Sequence, residues 1–155
     1  MVRSAETADA AAIARMLHEF NLEFEEWTPG PDVLEPRVRE FIAAGTKVFL
    51  VCGDQGDEGF AQLDFIASIW SDEPVAHLDE LYVKPELRGG GRGQALMERA
   101  VELARERGAP GIEVVTGEDD TAARGLYAKF GFANEIEGVD NSRSLFYELE
   151  FPSSS

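Results

Sequence analysis

The sequence predicts a mixed α/β domain, and three observations predict it. Runs rich in β-branched and aromatic residues alternate along the chain with runs of helical apolar period. The stretches between them carry Gly, Pro, Asn and Asp, the residues that turns demand. A glycine-rich turn, Arg88-Gly89-Gly90-Gly91-Arg92-Gly93, joins a strand-like run, Ala76–Val83, to a helical run, Gln94–Arg107.

Taken in order, Val2–Ser4 reads as a first strand. Thr7 is a natural N-cap for a helix to about Phe20, with Ile13, Leu17 and Phe20 on one face. Asn21–Pro36 contains Pro29-Gly30-Pro31 and reads as a connection with at most a broken helix. Leu34–Ala44 reads as a second helix, stopped by Gly45. Lys47–Cys52 and Gly59–Ile69 form an antiparallel pair around the turn Gly53–Asp57. Ser71–Pro74 turns into the strand Ala76–Val83. The helix after the glycine turn places Leu96, Ala100, Leu103 and Ala104 on one face, and Gly108-Ala109-Pro110-Gly111 stops it. Ile112–Thr116 is the next strand; Asp120 or Thr121 caps a last helix through about Phe130. Gly131 ends that helix and Ser144–Glu150 reads as a closing strand. With no repeat and no linker, residues 1–151 read as a single domain and 152–155 as a flexible tail.

Bulk composition narrows the function. A chain of 155 residues with 44% hydrophobic and 28% charged residues is a soluble globular domain large enough for a core. No apolar stretch approaches a membrane span and no leader is visible, which places the protein in the cytoplasm, without a membrane partner. The formal net charge of -16 opposes nucleic-acid binding. Lys84, Arg88 and Arg92 nevertheless cluster around the glycine turn, as capture of an anionic ligand would require. The single cysteine, Cys52, sits in an apolar strand and reads as a packed small hydrophobe; with His18 and His77 it offers no metal-site spacing.

A strand, a glycine-rich turn and a helix N-terminus together suit a phosphate. The glycines admit positive φ and close backbone approach, and the first-turn N–H groups point at the anion. A Walker loop is excluded, because Gly-x-x-x-x-Gly-Lys-Ser/Thr does not occur. A dinucleotide fingerprint is excluded as well: Gln94 and Leu96 stand where its third glycine belongs. Arg88-x-x-Gly91-x-Gly93 remains.

That string resembles the Arg/Gln-x-x-Gly-x-Gly/Ala signature of the GCN5-related N-acetyltransferases (GNAT superfamily). The longer stretch Leu78–Gly93 resembles the family's strand, Pro-containing turn and loop. Ala123-Arg124-Gly125-Leu126-Tyr127-Ala128-Lys129-Phe130-Gly131-Phe132 is similar to its second signature, and Val2–Asp9 to its first strand and helix. The resemblance covers nearly the whole chain. It implies a mostly antiparallel sheet, flanked by helices, with two central parallel strands splayed apart. It implies acetyl-CoA as acyl donor, held by Leu81, Tyr82, Val83, Arg88, Gly89, Gly90, Gly91, Arg92, Gly93, Gln94, Thr121 and Tyr127. Leu81 would give its N–H to the acetyl carbonyl, Val83 would pair with the pantetheine, and the amides from Gly89 to Gln94 would hold the pyrophosphate. The family often has Asn where Thr121 stands, which weakens that contact.

Acetyl transfer to an amine needs a neutral nucleophile. An alkyl ammonium of pKa about 10.4 is neutral about once in a thousand molecules near pH 7.4, a deficit of roughly 4 kcal/mol. Strand alternation over Ala76–Val83 puts His77, Asp79, Leu81 and Val83 on one face and Leu78, Glu80 and Tyr82 on the other, unless a bulge intervenes. His77 beside Asp79 is then the favoured base, with Glu80 its competitor. The run Ala76-His77-Leu78 through Val83 is similar to serotonin-type arylalkylamine N-acetyltransferases, which carry a second histidine where Asp79 stands. Tyr127 matches the family tyrosine that protonates the leaving thiolate. Phe24, Glu26 and Trp27 lie in the helix connection that borders the acceptor in this family; aromatics with carboxylates suit an amine. These expectations describe an N-acetyltransferase acting by direct attack in a ternary complex on a small-molecule primary amine. The alternatives are a protein N-terminal or lysine acetyltransferase and a non-catalytic acyl-CoA-binding module. No metal is implied; homodimers are frequent in the family.

Overall fold

The computed structural model describes residues 1–135 and 143–153. The chain divides into two units, Met1–Val114 and Val115–Ser155.

The first unit is built on a five-stranded sheet, β1 (Val2–Ser4), β2 (Lys47–Cys52), β3 (Gly59–Ile66), β4 (Val75–Val83) and β5 (Ile112–Val114), in that spatial order. Each neighbouring pair is antiparallel except β4 and β5, which are parallel. Three helices accompany it: α1 (Ala10–Glu23), α2 (Pro31–Ala44) and α3 (Arg92–Glu106). This is the mixed sheet flanked by helices that the sequence predicts.

Some boundaries move, each for a local reason. Thr7 does not cap α1. Thr7–Asp9 form a short 3-10 turn organised around the Asp9 carboxylate. That carboxylate accepts the Glu6 N–H at 2.8 Å and both Arg3 guanidinium arms at 2.8 Å. α1 then runs past Phe20 to Glu23, stopping just before Glu25, whose φ is 55°. α2 starts at Pro31 rather than Leu34, because a proline at the first helical position has its φ already set and no N–H to satisfy. Pro36 lies inside α2, where it forgoes one ladder bond. β3 ends at Ile66 instead of Ile69.

The sheet's two faces bury different partners. On one, Phe49, Val51, Phe60 and Tyr82 pack with Ala10, Ile13 and Met16 of α1 and Val38 of α2. On the other, alternation presents Leu50, Cys52, Ala61, Leu63, Ala76 and Leu78, all buried, toward the side of α3, whose Leu96, Met97, Ala100 and Leu103 are buried too.

One irregularity decides the site. Gln62 faces Glu80, but Leu63 faces Leu78, so Asp79 is the extra residue of a β-bulge. The bulge reverses parity downstream. His77, opposite Asp64, and Glu80, opposite Gln62, therefore share the α1 face with Tyr82. Leu81 and Val83 take the α3 face. The strict alternation read from the sequence, which separated Glu80 from His77, is corrected by this one inserted residue.

In the second unit α4 spans Thr121–Lys129. Asp120 is its N-cap, accepting the Ala123 N–H at 3.1 Å, and Gly131 follows its end at φ 88°. The predicted closing strand Ser144–Glu150 is not formed: its residues are irregular, with Leu145, Phe146, Tyr147 and Leu149 exposed. Among the described residues, the extended pairing near it is an isolated bridge between Glu135 and Arg143. Alternation reports the propensity of a strand; a strand also needs a neighbour, and among the described residues of this unit none exists. Of the predicted tail, Pro152 and Ser153 are exposed and irregular, and 154–155 lie outside the described residues.

Candidate active site

Among the described residues, β4 has a stretch of backbone whose edge away from β3 has no strand beside it. Its pairing with β5 ends at Leu78–Val114, whereas β4 continues to Val83. Beyond that point the parallel strands no longer bond. The Lys84 N–H bonds to the Glu58 carbonyl at 3.0 Å, on the β3 side. By alternation Tyr82 and Glu80 also direct their backbone groups toward β3, and Leu81 and Val83 direct theirs to the opposite edge. The Val83 carbonyl on that edge accepts Arg88 Nε at 2.9 Å.

A 3-10 turn, Pro85–Leu87, leads from β4 into the glycine run. Gly89 and Gly91 have φ of 84° and 85°, a region that side chains rarely occupy. A Cβ on either would meet nothing within 4 Å. Gly91 is the N-cap of α3 and supplies no side-chain oxygen. The first turn of α3, from Arg92 through Gly93 and Gln94, thus begins in open space beneath a glycine backbone, which fits a phosphate group. The expected cationic cluster is modified by carboxylates. Arg88 grips Glu23 of α1 through both arms, at 2.9 and 2.6 Å. Arg92 Nε bonds Glu58 at 2.9 Å, and its Nη1 reaches the Leu87 carbonyl at 3.4 Å. A Cβ on Gly90 would sit 2.9 Å from that Arg92 arm, so this glycine makes room for the guanidinium.

The α1 face of β4 carries the titratable groups. Burial first, and then the charges of Asp79 and Glu26, push the Glu80 carboxyl up to about 7. Glu26 comes from the α1–α2 connection, so the fold brings an expected acceptor-side residue toward Glu80. Asp79 is pushed up to about 6 by partial burial, then by the hydrogen bond and charge of Asp64, with Lys47 and His77 pulling the other way. Much of Asp79 is open to solvent, so screening weakens the charge effects on it. Asp64 itself is held low, its burial outweighed by Asp79, Lys47 (2.6 Å) and Gln62. Its buried Oδ1 finds no hydrogen-bond donor among the described residues. Gln62 donates to Asp79 at 3.3 Å. His77 leans the other way along the sheet, its Nε2 3.3 Å from Glu113 of β5. The bulge therefore gathers Asp79, Glu80, Asp64 and Gln62, none of the β3 pair being anticipated from sequence.

Tyr82 is 3% exposed and its side chain belongs to the core. Its ring stacks on Phe20 at 5.2 Å, and its hydroxyl donates to Glu19 at 3.4 Å. Burial, with Glu19 and Glu23 nearby, pushes the phenol up to about 12. Phe24 meets Phe20 edge to face at 5.4 Å. The connection is tied to α1, with Asn21 Nδ2 donating to the Trp27 carbonyl at 2.7 Å and His18 Nδ1 3.1 Å from Thr28 Oγ1. The Trp27 side chain is 80% exposed.

In the second unit Thr121 opens α4, and Tyr127 lies on it half-buried, its ring 5.6 Å from that of Phe132. The Tyr127 carbonyl accepts the Phe132 N–H at 3.0 Å, so the Gly131-Phe132 pair closes back on the tyrosine's own turn. Cys52 is buried, which raises its thiol and leaves it protonated, so it is no nucleophile. Among the described residues no metal-binding group of side chains occurs, and no helix is long and apolar enough to cross a membrane.

A mixed sheet whose parallel strands part is followed by a glycine-cradled helix N-terminus that can receive a phosphate-bearing ligand. The sequence matches the Acetyltransferase (GNAT) family over residues 13–132, and the chain belongs to that family. It is 31% identical to the aminoglycoside N(6')-acetyltransferase type 1 of Stenotrophomonas maltophilia, over 89% of this chain and 88% of that one. It is 26% identical to the thialysine N-epsilon-acetyltransferase of Sus scrofa, over 97% and 93%. A crystal structure of a protein classed as an acetyltransferase, from Arthrobacter sp. FB24, superposes with a TM-score of 0.88 at 40% identity, covering 97% and 96% of the two chains. The protein is an acetyl-CoA-dependent acetyltransferase.

Proposed function

We propose that the protein acetylates a primary amine of a small cationic molecule by direct attack on acetyl-CoA in a ternary complex, with Glu80 accepting the amine proton. The observation that carries this reading is Glu80 itself: a carboxyl on the α1 face of β4, pushed up to about 7. A base of that pKa is partly ionised at neutral pH and still basic enough to remove a proton. Glu26, Asp79 and the net charge of -16 favour an ammonium approaching it. The relatives named for aminoglycoside and thialysine both take amines of this kind. His77, the base favoured by the sequence, faces Glu113, and Asp79 acts better as Glu80's charged neighbour than as its rival.

The donor would lie along the backbone of Leu81 and Val83, with its pyrophosphate over Gly89–Gln94 and Arg88 and Arg92 beside it. The Leu81 N–H, aimed at the open edge, suits the acetyl oxygen as charge develops there. Glu80 takes one proton from the bound ammonium; attack of the resulting neutral amine forms the C–N bond and expels the thiolate, and the second proton lost from nitrogen balances the one that the thiolate gains. Tyr127 returns a proton to the thiolate in this reading, and Thr121 adds a polar contact to the donor. Phe24, Glu26 and Trp27 border the acceptor. The family match crosses Val114, which supports reading residues 1–151 as one catalytic domain. The test is thiol release from acetyl-CoA with a panel of diamines, amino sugars and lysine analogues. Turnover with these supports the reading; turnover only with peptide amines contradicts the acceptor class.

A further inference from the structure

The guanidinium that the glycine loop presents to a phosphate is already engaged. Arg88 is clasped on both arms by the Glu23 carboxylate, at 2.9 and 2.6 Å, in the fork-to-fork arrangement that a phosphate would also seek. Its Nε is anchored on the Val83 carbonyl at 2.9 Å, and its plane lies 5.7 Å from the centre of the Tyr82 ring. The fork is therefore fixed in place by β4, while its outer edge faces a carboxylate. Glu23 is the last residue of α1, immediately before Phe24 and the connection that carries Glu26 and Trp27. The Arg88–Tyr82–Phe20–Phe24 contacts run from the loop to that connection without a gap.

We propose that Glu23 competes with the donor's pyrophosphate for Arg88, and so couples donor binding to the position of the acceptor-side connection. This rests on the donor site proposed above. Two anions want one fork. A phosphate that takes it displaces Glu23 or lies against its charge, and either weakens donor binding. The pair is cheap to break: its side chains are 44% and 29% exposed, and exposed pairs are worth little in water. When the fork passes to the donor, Glu23 is released and the end of α1 loses its tie to the loop. By reciprocity, an acceptor that draws on Glu23 tightens the donor by the same factor. Glu23 is thus a positioning residue that tunes donor affinity through Arg88.

The test is calorimetric titration of coenzyme A into the native protein, Glu23→Gln, Arg88→Gln and the double variant, at low and high salt. Glu23→Gln should bind about two- to fivefold more tightly at low salt, the range an exposed charged pair supports, with the gain shrinking at high salt. In the Arg88→Gln background the same change should give little or no gain. Unchanged or weaker binding by Glu23→Gln overturns the competition. An equal gain in both backgrounds overturns the role of Arg88 and leaves only general charge repulsion. Coenzyme A binding in none of the four, all folded, would instead overturn the donor site on which the inference rests.

Discussion

The two sides of β4 are built from different materials. On the proposed donor side the work would fall to backbone: the β4 edge that β5 leaves at Leu78, glycines at positive φ and the start of α3. On the proposed acceptor side it would fall to side chains whose chemistry is set by what surrounds them, above all Glu80. On that reading the donor side depends on the course of the main chain and the acceptor side on its charges. Substitutions therefore ought to act differently on the two.

The largest effect is expected at the loop. Gly91→Glu places a side chain at φ 85° and a carboxylate where the pyrophosphate would lie. Coenzyme A affinity should fall at least about a hundredfold by calorimetry, with the far-UV spectrum unchanged. Retained affinity would show that the donor binds elsewhere. Glu80→Gln should leave coenzyme A affinity alone and lower kcat/KM by about 10²–10³ in steady-state assays, the usual contribution of a general base. Tyr127→Phe should reduce kcat about tenfold or more with donor affinity kept; an unchanged kcat would remove its acid role. Asp79→Asn removes a negative neighbour, so Glu80 should ionise more easily, and the rise of rate with pH should move about half a unit lower.

The smallest effect is on stability. The Glu80 carboxyl is raised in the folded state, so its contribution is intact below its ordinary range and is lost as pH rises through about 7. At pH 8 the folded protein holds an unwelcome charge. Glu80→Gln should then melt about 5 °C or more above the native protein, with no gain at pH 4. A lower melting temperature at pH 8 would mean that the charge is better solvated than its surroundings indicate.

The same contrast explains what was legible in the sequence. The glycine turn was readable because glycine spacing is a statement about backbone, and backbone needs are written in residue type. Arg88, Gly89, Gly91 and the start of α3 all lie where the spacing placed them. The acceptor side was readable only as a set of candidates. Alternation put Glu80 opposite to His77 because nothing in Leu78-Asp79-Glu80 announces a bulge; the extra residue shows only in the register against Gln62 and Leu63. Asp64 and Lys47 are close to Asp79 through pairing of strands far apart in sequence, and no local pattern carries that. Ser144–Glu150 failed for a related reason: its alternation is sound, but a strand is a property of two segments. The Glu23–Arg88 pair, 65 residues apart, was invisible in the same way.

The most direct test of the account is the pH dependence of kcat/KM for an accepted amine, in the native protein and in Glu80→Gln. If Glu80 takes the proton from a bound ammonium, the native rate should climb through about pH 7 and then level off. The variant, needing amine that is already neutral, should start far lower and keep rising tenfold per pH unit toward the amine's own pKa of about 10. The same plateau in both proteins, with the same midpoint, would contradict the assignment of Glu80 as the base.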